Sequence, residues 1–363
     1  MMPPQRPSGR AQRRLQVVAR HAAAGEQSPP SPRAAALNSG GPSGQWPPAL
    51  PEPPPWPPTG REGKESDVNV NYFEEQLPRY ELPPLLVASD GRPIRTAEEW
   101  RTKRRPEILS LFANLVYGVV PQPSSTLSVS FSVVATDTGF MGGRATRKDV
   151  EITSTTDRGS LTQMVLVFSP NSSESPPCPA FLHHSFDDTR GEGFAAHAER
   201  PDRLRNGWPL GAVLDRGYGL IVVSQNDVVS HNEVGFGDGT VHSLFYPQGQ
   251  SFPKANEWGC ISAIAWGASR ALDYLQTDTE VDATRVAVMG HSKMGKAAVW
   301  TAATDERFAL CVSAQSGCAG AALWRRKYGE TLEKMVTRFP YWLCRNAHKF
   351  VGQEDDLPVD QHM

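Results

Sequence analysis

Two stretches, residues 125–135 and 149–154, alternate apolar and polar side chains on either side of the glycine-rich segment 139–143. A strict period of two places every second residue on one face, so the pattern predicts an antiparallel strand pair at a sheet edge. From residue 164 the pattern changes. Short apolar runs at 164–168, 180–183, 219–223, 285–289 and 308–313 have no polar face and suit strands covered on both sides. Between two of them, Ile261, Ile264, Ala265, Ala268, Leu272 and Leu275 recur with a period near 3.6. They predict a helix whose single apolar stripe packs on the sheet. Strands alternating with helices point to an α/β fold: a doubly wound, mostly parallel sheet with an antiparallel N-terminal edge. No internal repeat is visible.

Composition narrows the picture. A chain of 363 residues with 39% hydrophobic content can bury one large core, and a formal net charge of -2 gives no basis for nucleic-acid binding. Residues 1–66 are rich in Pro, Arg, Ala, Gly and Ser and cannot bury enough apolar area to offset ordering entropy. They read as a disordered tail ahead of one domain over 67–363. No apolar stretch reaches the roughly 18 residues of a membrane span, and residues 15–24 are too short and too polar for a signal sequence core. No export signal is readable, and a monomer is expected. Five widely spaced cysteines fit neither a zinc ribbon nor a disulfide framework. Cys318 and Cys344 are free to pair in an exported protein; buried single thiols are the plainer reading.

The chemistry is concentrated around Ser292. The run Arg285 Val286 Ala287 Val288 Met289 Gly290 His291 Ser292 breaks from β-branched apolar residues into Lys293 Met294 Gly295 Lys296 and an Ala-rich helix. Such a strand-to-helix elbow presents a serine oxygen at the carboxyl edge of a sheet, close to helix N-terminal amides that can receive an oxyanion. The usual elbow is Gly-x-Ser-x-Gly. Here Met294 stands at the second glycine position, and the glycine comes one residue later, followed by Lys296.

This Gly-x-Ser-x-x-Gly-Lys variant resembles the glucuronoyl esterases (4-O-methyl-glucuronoyl methylesterases, carbohydrate esterase family 15), most closely the bacterial branch. The likeness extends through Glu257 Trp258 Gly259, Trp266 Gly267 and Asp273 Tyr274 Leu275 upstream, and through Ser316 Gly317 Cys318, Gly329 Glu330 Thr331 and Asp360 Gln361 His362 Met363 downstream. Weaker agreement reaches back to Asn71 Tyr72. The resemblance implies an α/β-hydrolase that needs no cofactor and acts outside the cytoplasm, secreted or periplasmic. It would cleave esters of glucuronic acid in glucuronoxylan through an acyl-enzyme on Ser292. It also implies that the main-chain N–H of Lys293 supports the oxyanion and that Lys296 and Glu330 hold the sugar hydroxyls. The family usually has arginine at position 293; lysine keeps the charge and loses the planar fork.

A serine needs a base, itself oriented by an acid. Only His348 and His362 follow Ser292, and His348 reads as polar helix surface. One family position for the acid, just before the Ser-Gly pair, holds Gln315. The other, like the family's histidine, lies beyond the Asp-Gln-His-Met segment, so the chain is expected to be incomplete at its C-terminus and to lack the last strands. Two rivals follow: an acetyl xylan esterase-type hydrolase, and a truncated hydrolase-like protein without activity. Trp324 and Trp342 are better read as core than as sugar platforms. His183, His184, His231, Asp187 and Asp188 suggest a metal, but neighbours on a strand face opposite ways and could not share one ion, so a polar loop above the sheet is preferred and no metal is expected. Asn171 Ser172 Ser173 is a glycosylation sequon, meaningful in a secreted chain.

Overall fold

The computed structural model describes residues 70–123, 125–171, 177–189, 210–229, 236–237 and 239–363. The proposed tail 1–66, His231 and the serines of the sequon lie outside the described residues. A seven-stranded sheet runs in the order β1-β2-β3-β5-β4-β6-β7. Its strands are β1 (Ser128–Gly139), β2 (Ala145–Thr156), β3 (Gly159–Pro170), β4 (Cys178–Ser185), β5 (Gly219–Ser224), β6 (Val281–His291) and β7 (Leu310–Ala314).

The alternating stretches form the predicted antiparallel pair, with Phe131 opposite Ile152 and Asp137 opposite Arg147. The antiparallel edge is one strand wider than the alternation indicates. β3 is covered on both faces at Val165, Leu166, Val167 and Phe168, as its apolar run predicts, yet it runs antiparallel to both β2 and β5. For β2 the cause is the tight turn pairing Thr156 with Gly159, which leaves no room for a crossover. Full burial reports a central place in a sheet, not a direction. Strands β5, β4, β6 and β7 are parallel, and the carboxyl ends of β5, β6 and β7 carry the site.

Five helices matter here: α1 (Arg105–Phe112), α2 (Leu210–Leu214), α3 (Cys260–Leu275), α4 (Lys293–Thr304) and α5 (Leu332–Arg338). All six stripe residues predicted for α3 are buried. Ala268, Leu272 and Leu275 meet the sheet, while Ile261, Ile264 and Ala265 pack into a second layer with Trp258, Trp300, Trp324 and Trp342. At the start of α3 the N–H groups of Cys260 and Ile261, which have no acceptor within the helix, donate to the carbonyls of Tyr341 and Trp342. Gly259 is needed for this close approach, since a Cβ there would stand 2.5 Å from the Trp342 oxygen. The segment bearing Trp342 is thereby fastened beside the sheet's carboxyl edge. Cys318 and Cys344 are buried free thiols. Among the described residues no helix is long and apolar enough to cross a membrane.

Candidate active site

Ser292 stands between β6 and α4 with φ 56° and ψ -123°. That is a strained conformation for a residue with a side chain, kept only where the surroundings hold it. Here the Ser292 N–H donates to the Ala314 carbonyl at 2.9 Å, and the Lys296 N–H donates to the Ser292 carbonyl at 3.1 Å. The shifted glycine follows from packing. At Gly290 a Cβ would lie 2.2 Å from the Met294 oxygen; at Gly295 it would lie 2.9 Å from the Ala314 oxygen. The residue between them faces inward instead, and Met294 is fully buried in the second-layer core. The elbow is thus bolted down by a thioether where the common motif needs a glycine.

Neither lysine of the motif is on the surface. Lys293 is 1% exposed; its Nζ donates to Gln225 Oε1 at 2.9 Å and sits 5.0 Å from the centre of the Trp342 ring. Burial of a cation is tolerated because an amide oxygen and a ring face replace water. Its main-chain N–H belongs to the first turn of α4, where no intrahelical acceptor exists, so it is placed as an oxyanion donor should be. Lys296, one turn later, is 2% exposed and donates to the Ser316 carbonyl at 2.6 Å, the Cys318 carbonyl at 2.7 Å and Glu330 Oε2 at 2.6 Å. An ammonium has three protons, and all three are taken. An incoming hydroxyl would have to displace one of these acceptors or meet Glu330, whose side chain is 32% exposed. Gly317, with φ 59°, permits the arrangement, because a Cβ there would crowd Glu330 Oε2 at 2.8 Å.

The loop carrying Glu330 is anchored by the chain's last residues. Asp360 is fully buried and accepts from the N–H groups of Trp324 and Arg325 at 2.9 and 3.2 Å. The Asp-Gln-His-Met segment is therefore scaffolding for the site. His362 Nε2 bonds the Pro83 carbonyl, not Ser292. His348 lies on the short helical turn Arg345–Phe350, as read, but is half-buried: its Nε2 is 3.1 Å from the Pro340 carbonyl, and burial lowers its pKa to about 4. Among the described residues no histidine bonds the Ser292 hydroxyl.

Gln315 directly follows β7 with φ 46°, and its Oε1 is 2.6 Å from Nε2 of His291, the exposed residue just before Ser292. An amide oxygen only accepts, so the bond puts the proton on Nε2. His183 and His184 do not belong to a polar loop; both are buried in β4, which continues two residues past the apolar run, to Ser185. Burial pushes their pKa values down to about 4 and about 3, and His184 bonds Thr301 Oγ1 at 3.2 Å. Asp188 accepts from Asn226 Nδ2. No cluster of potential metal ligands exists among the described residues. Trp324 and Trp342 are buried, as core residues. Asn171, the sequon residue, already spends its Nδ2 on the Thr138 and Gly143 carbonyls. Gln225 and His291 escape the sequence reading. The only signal for Gln225 is its place directly after an apolar strand run, where sites of open α/β sheets collect.

Residues 208–363 match the family model "Glucuronyl esterase, fungi". A carbohydrate esterase named MZ0003, from an unknown prokaryotic organism, is 34% identical over 315 residues, covering 81% of this chain and 72% of that protein. The 4-O-methyl-glucuronoyl methylesterase 1 of Phanerochaete chrysosporium is 25% identical, covering 84% of this chain; the chain spans 58% of that relative's length. Among solved structures, the glucuronoyl esterase from Solibacter usitatus superposes with a TM-score of 0.69 at 34% identity, over 80% of this chain and 77% of that one. With the elbow and the mixed sheet in place, these likenesses settle the family: the chain belongs to the glucuronoyl esterases, carbohydrate esterases with the α/β-hydrolase fold.

Proposed function

We propose that the protein hydrolyses esters of glucuronic acid, such as those of glucuronoxylan, with Ser292 as nucleophile. Ser292 Oγ would attack the ester carbonyl, the alcohol would leave, and water would release the glucuronoyl group from the serine. Charge developing on the carbonyl oxygen would be received by the Lys293 N–H, with the buried ammonium of the same residue adding positive potential. Glu330, steadied by Lys296, would orient the ring. The observation that carries the reading is the Lys296–Glu330 pair set one helical turn from a strained serine. A methyl-ester substrate is suggested by the named activity of the Phanerochaete relative. The test is hydrolysis of methyl and benzyl glucuronate by wild type and Ser292→Ala. Serine-dependent release of alcohol supports the reading, and an unchanged rate in the variant removes it. A second reading, a hydrolase-like protein that binds acidic sugars without cleaving them, is favoured by one residue: Gln315, which cannot carry the charge that stabilises an imidazolium. Serine-independent binding of glucuronate with no turnover would establish it.

A further inference from the structure

The first described segment of the chain is strapped to the loop that carries Glu330. The Asn71 carbonyl accepts from the Gly329 N–H at 2.8 Å, and the Arg326 guanidinium holds both carboxylate oxygens of Glu74 at 2.6 Å. Between these ties the Tyr72 ring meets Tyr328 edge to face, with centroids 6.2 Å apart and planes at 87°. Arg326 backs the Tyr328 ring at 4.8 Å. Despite this ordered packing the aromatics are not covered: Tyr72 is 62% exposed, Phe73 57% and Tyr328 39%. Clustered, oriented and exposed rings, one of them two residues along the chain from Glu330, offer a face on which a ligand can stack.

We propose that Tyr72 and Tyr328 form an aromatic subsite that stacks on the pyranose to which the bound uronic acid is linked. The proposal rests on the glucuronate reading above, and it names which side of the ester is recognised beyond the uronic acid itself. A pyranose has an apolar C–H face and a polar rim, so a tyrosine ring can take the face while carboxylates such as Glu330 take hydroxyls. The choice of sugar over leaving alcohol follows from connectivity. The rings are joined to the site through Gly329 and Glu330, the ring-holding group, and their contacts run to Arg326 and Gly329, not to the elbow from which the alcohol departs.

The experiment compares kcat/KM for methyl glucuronate alone with the same ester branched from a xylo-oligosaccharide, using the full protein. Wild type should prefer the branched ester, and Tyr72→Ala or Tyr328→Ala should cut that preference by roughly three- to tenfold, through KM. Tyr72→Phe should retain it. Tyr218→Ala, an exposed ring at the start of β5, should leave the preference unchanged. Calorimetric binding of the branched free acid to a Ser292→Ala protein reads the same loss without turnover. Absence of any wild-type preference for the branched ester, or its survival in Tyr72→Ala, overturns the proposal. A loss confined to benzyl over methyl esters also overturns it, since the rings would then serve the alcohol. Should wild type cleave neither ester, the esterase reading fails by itself, and the binding arm alone decides the subsite.

Discussion

Lys296 is the residue on which most of the local order converges, because one ammonium joins the end of β7, the loop at Cys318 and the carboxylate of Glu330. Removing it leaves two carbonyls and a carboxylate without their donor. Lys296→Met should therefore lower unfolding free energy by about 3 kcal/mol, read by urea denaturation, whereas Glu330→Gln, at a half-exposed carboxylate, should cost under about 1 kcal/mol. Ser292→Ala should lower hydrolysis by about a thousandfold or more at nearly unchanged stability. The strand-to-helix elbow at Ser292 was legible in the sequence, since a β-branched run breaking at a serine into an Ala-rich stretch marks such a turn. The burial of Lys293 and Lys296 was not. A lysine in a sequence reads as surface, and the acceptors that make these two interior, Gln225 and the carbonyls of Ser316 and Cys318, are distant along the chain or carry no side-chain signal.

The elbow works as an element because a strand, a helix and the next strand are pinned within a few ångströms. Gly290→Ala places a methyl group on the Met294 carbonyl, whose position is fixed by a buried side chain. It should lower stability by about 3 kcal/mol, while Gly237→Ala, which meets nothing within 4 Å, should stay near neutral. Thermal unfolding of the two variants checks the contrast. At this scale the sequence was informative about the presence of strands and poor about their direction. The run 164–168 carries no mark separating a central antiparallel strand from a parallel one; the turn before it, at Thr156 and Gly159, decides. The period of α3 was readable because one of its faces is pure hydrocarbon, but its second buried face, at Cys260 and Ala263, consists of small residues that periodicity weighs lightly.

At the scale of the whole molecule, four histidines among the described residues are held neutral by burial: His183 and His348 with pKa lowered to about 4, His184 and His242 to about 3. Their ordinary value is about 6.5, so below that pH the unfolded chain binds protons that the folded chain refuses. The stability they favour is complete above about pH 6.5 and is lost as pH falls toward 4 and then 3. Each contributes a slope of up to about 1.4 kcal/mol per pH unit in that window. Midpoints of urea unfolding should fall steeply between pH 6 and 4, and replacing His184 with glutamine should flatten the slope. The same long-range architecture bears on the order in which the protein assembles. The β1-β2-β3 meander closes through neighbours such as Asp137 with Arg147 and Thr156 with Gly159. By contrast β4 must find β6 at Val286, and the strap must join Asn71 to Gly329. Local pairings close fast and distant ones slowly. On dilution from denaturant, far-UV ellipticity should recover before Ser292 reacts with a fluorophosphonate, so that reactivity of the serine becomes a clock for the last contacts to form.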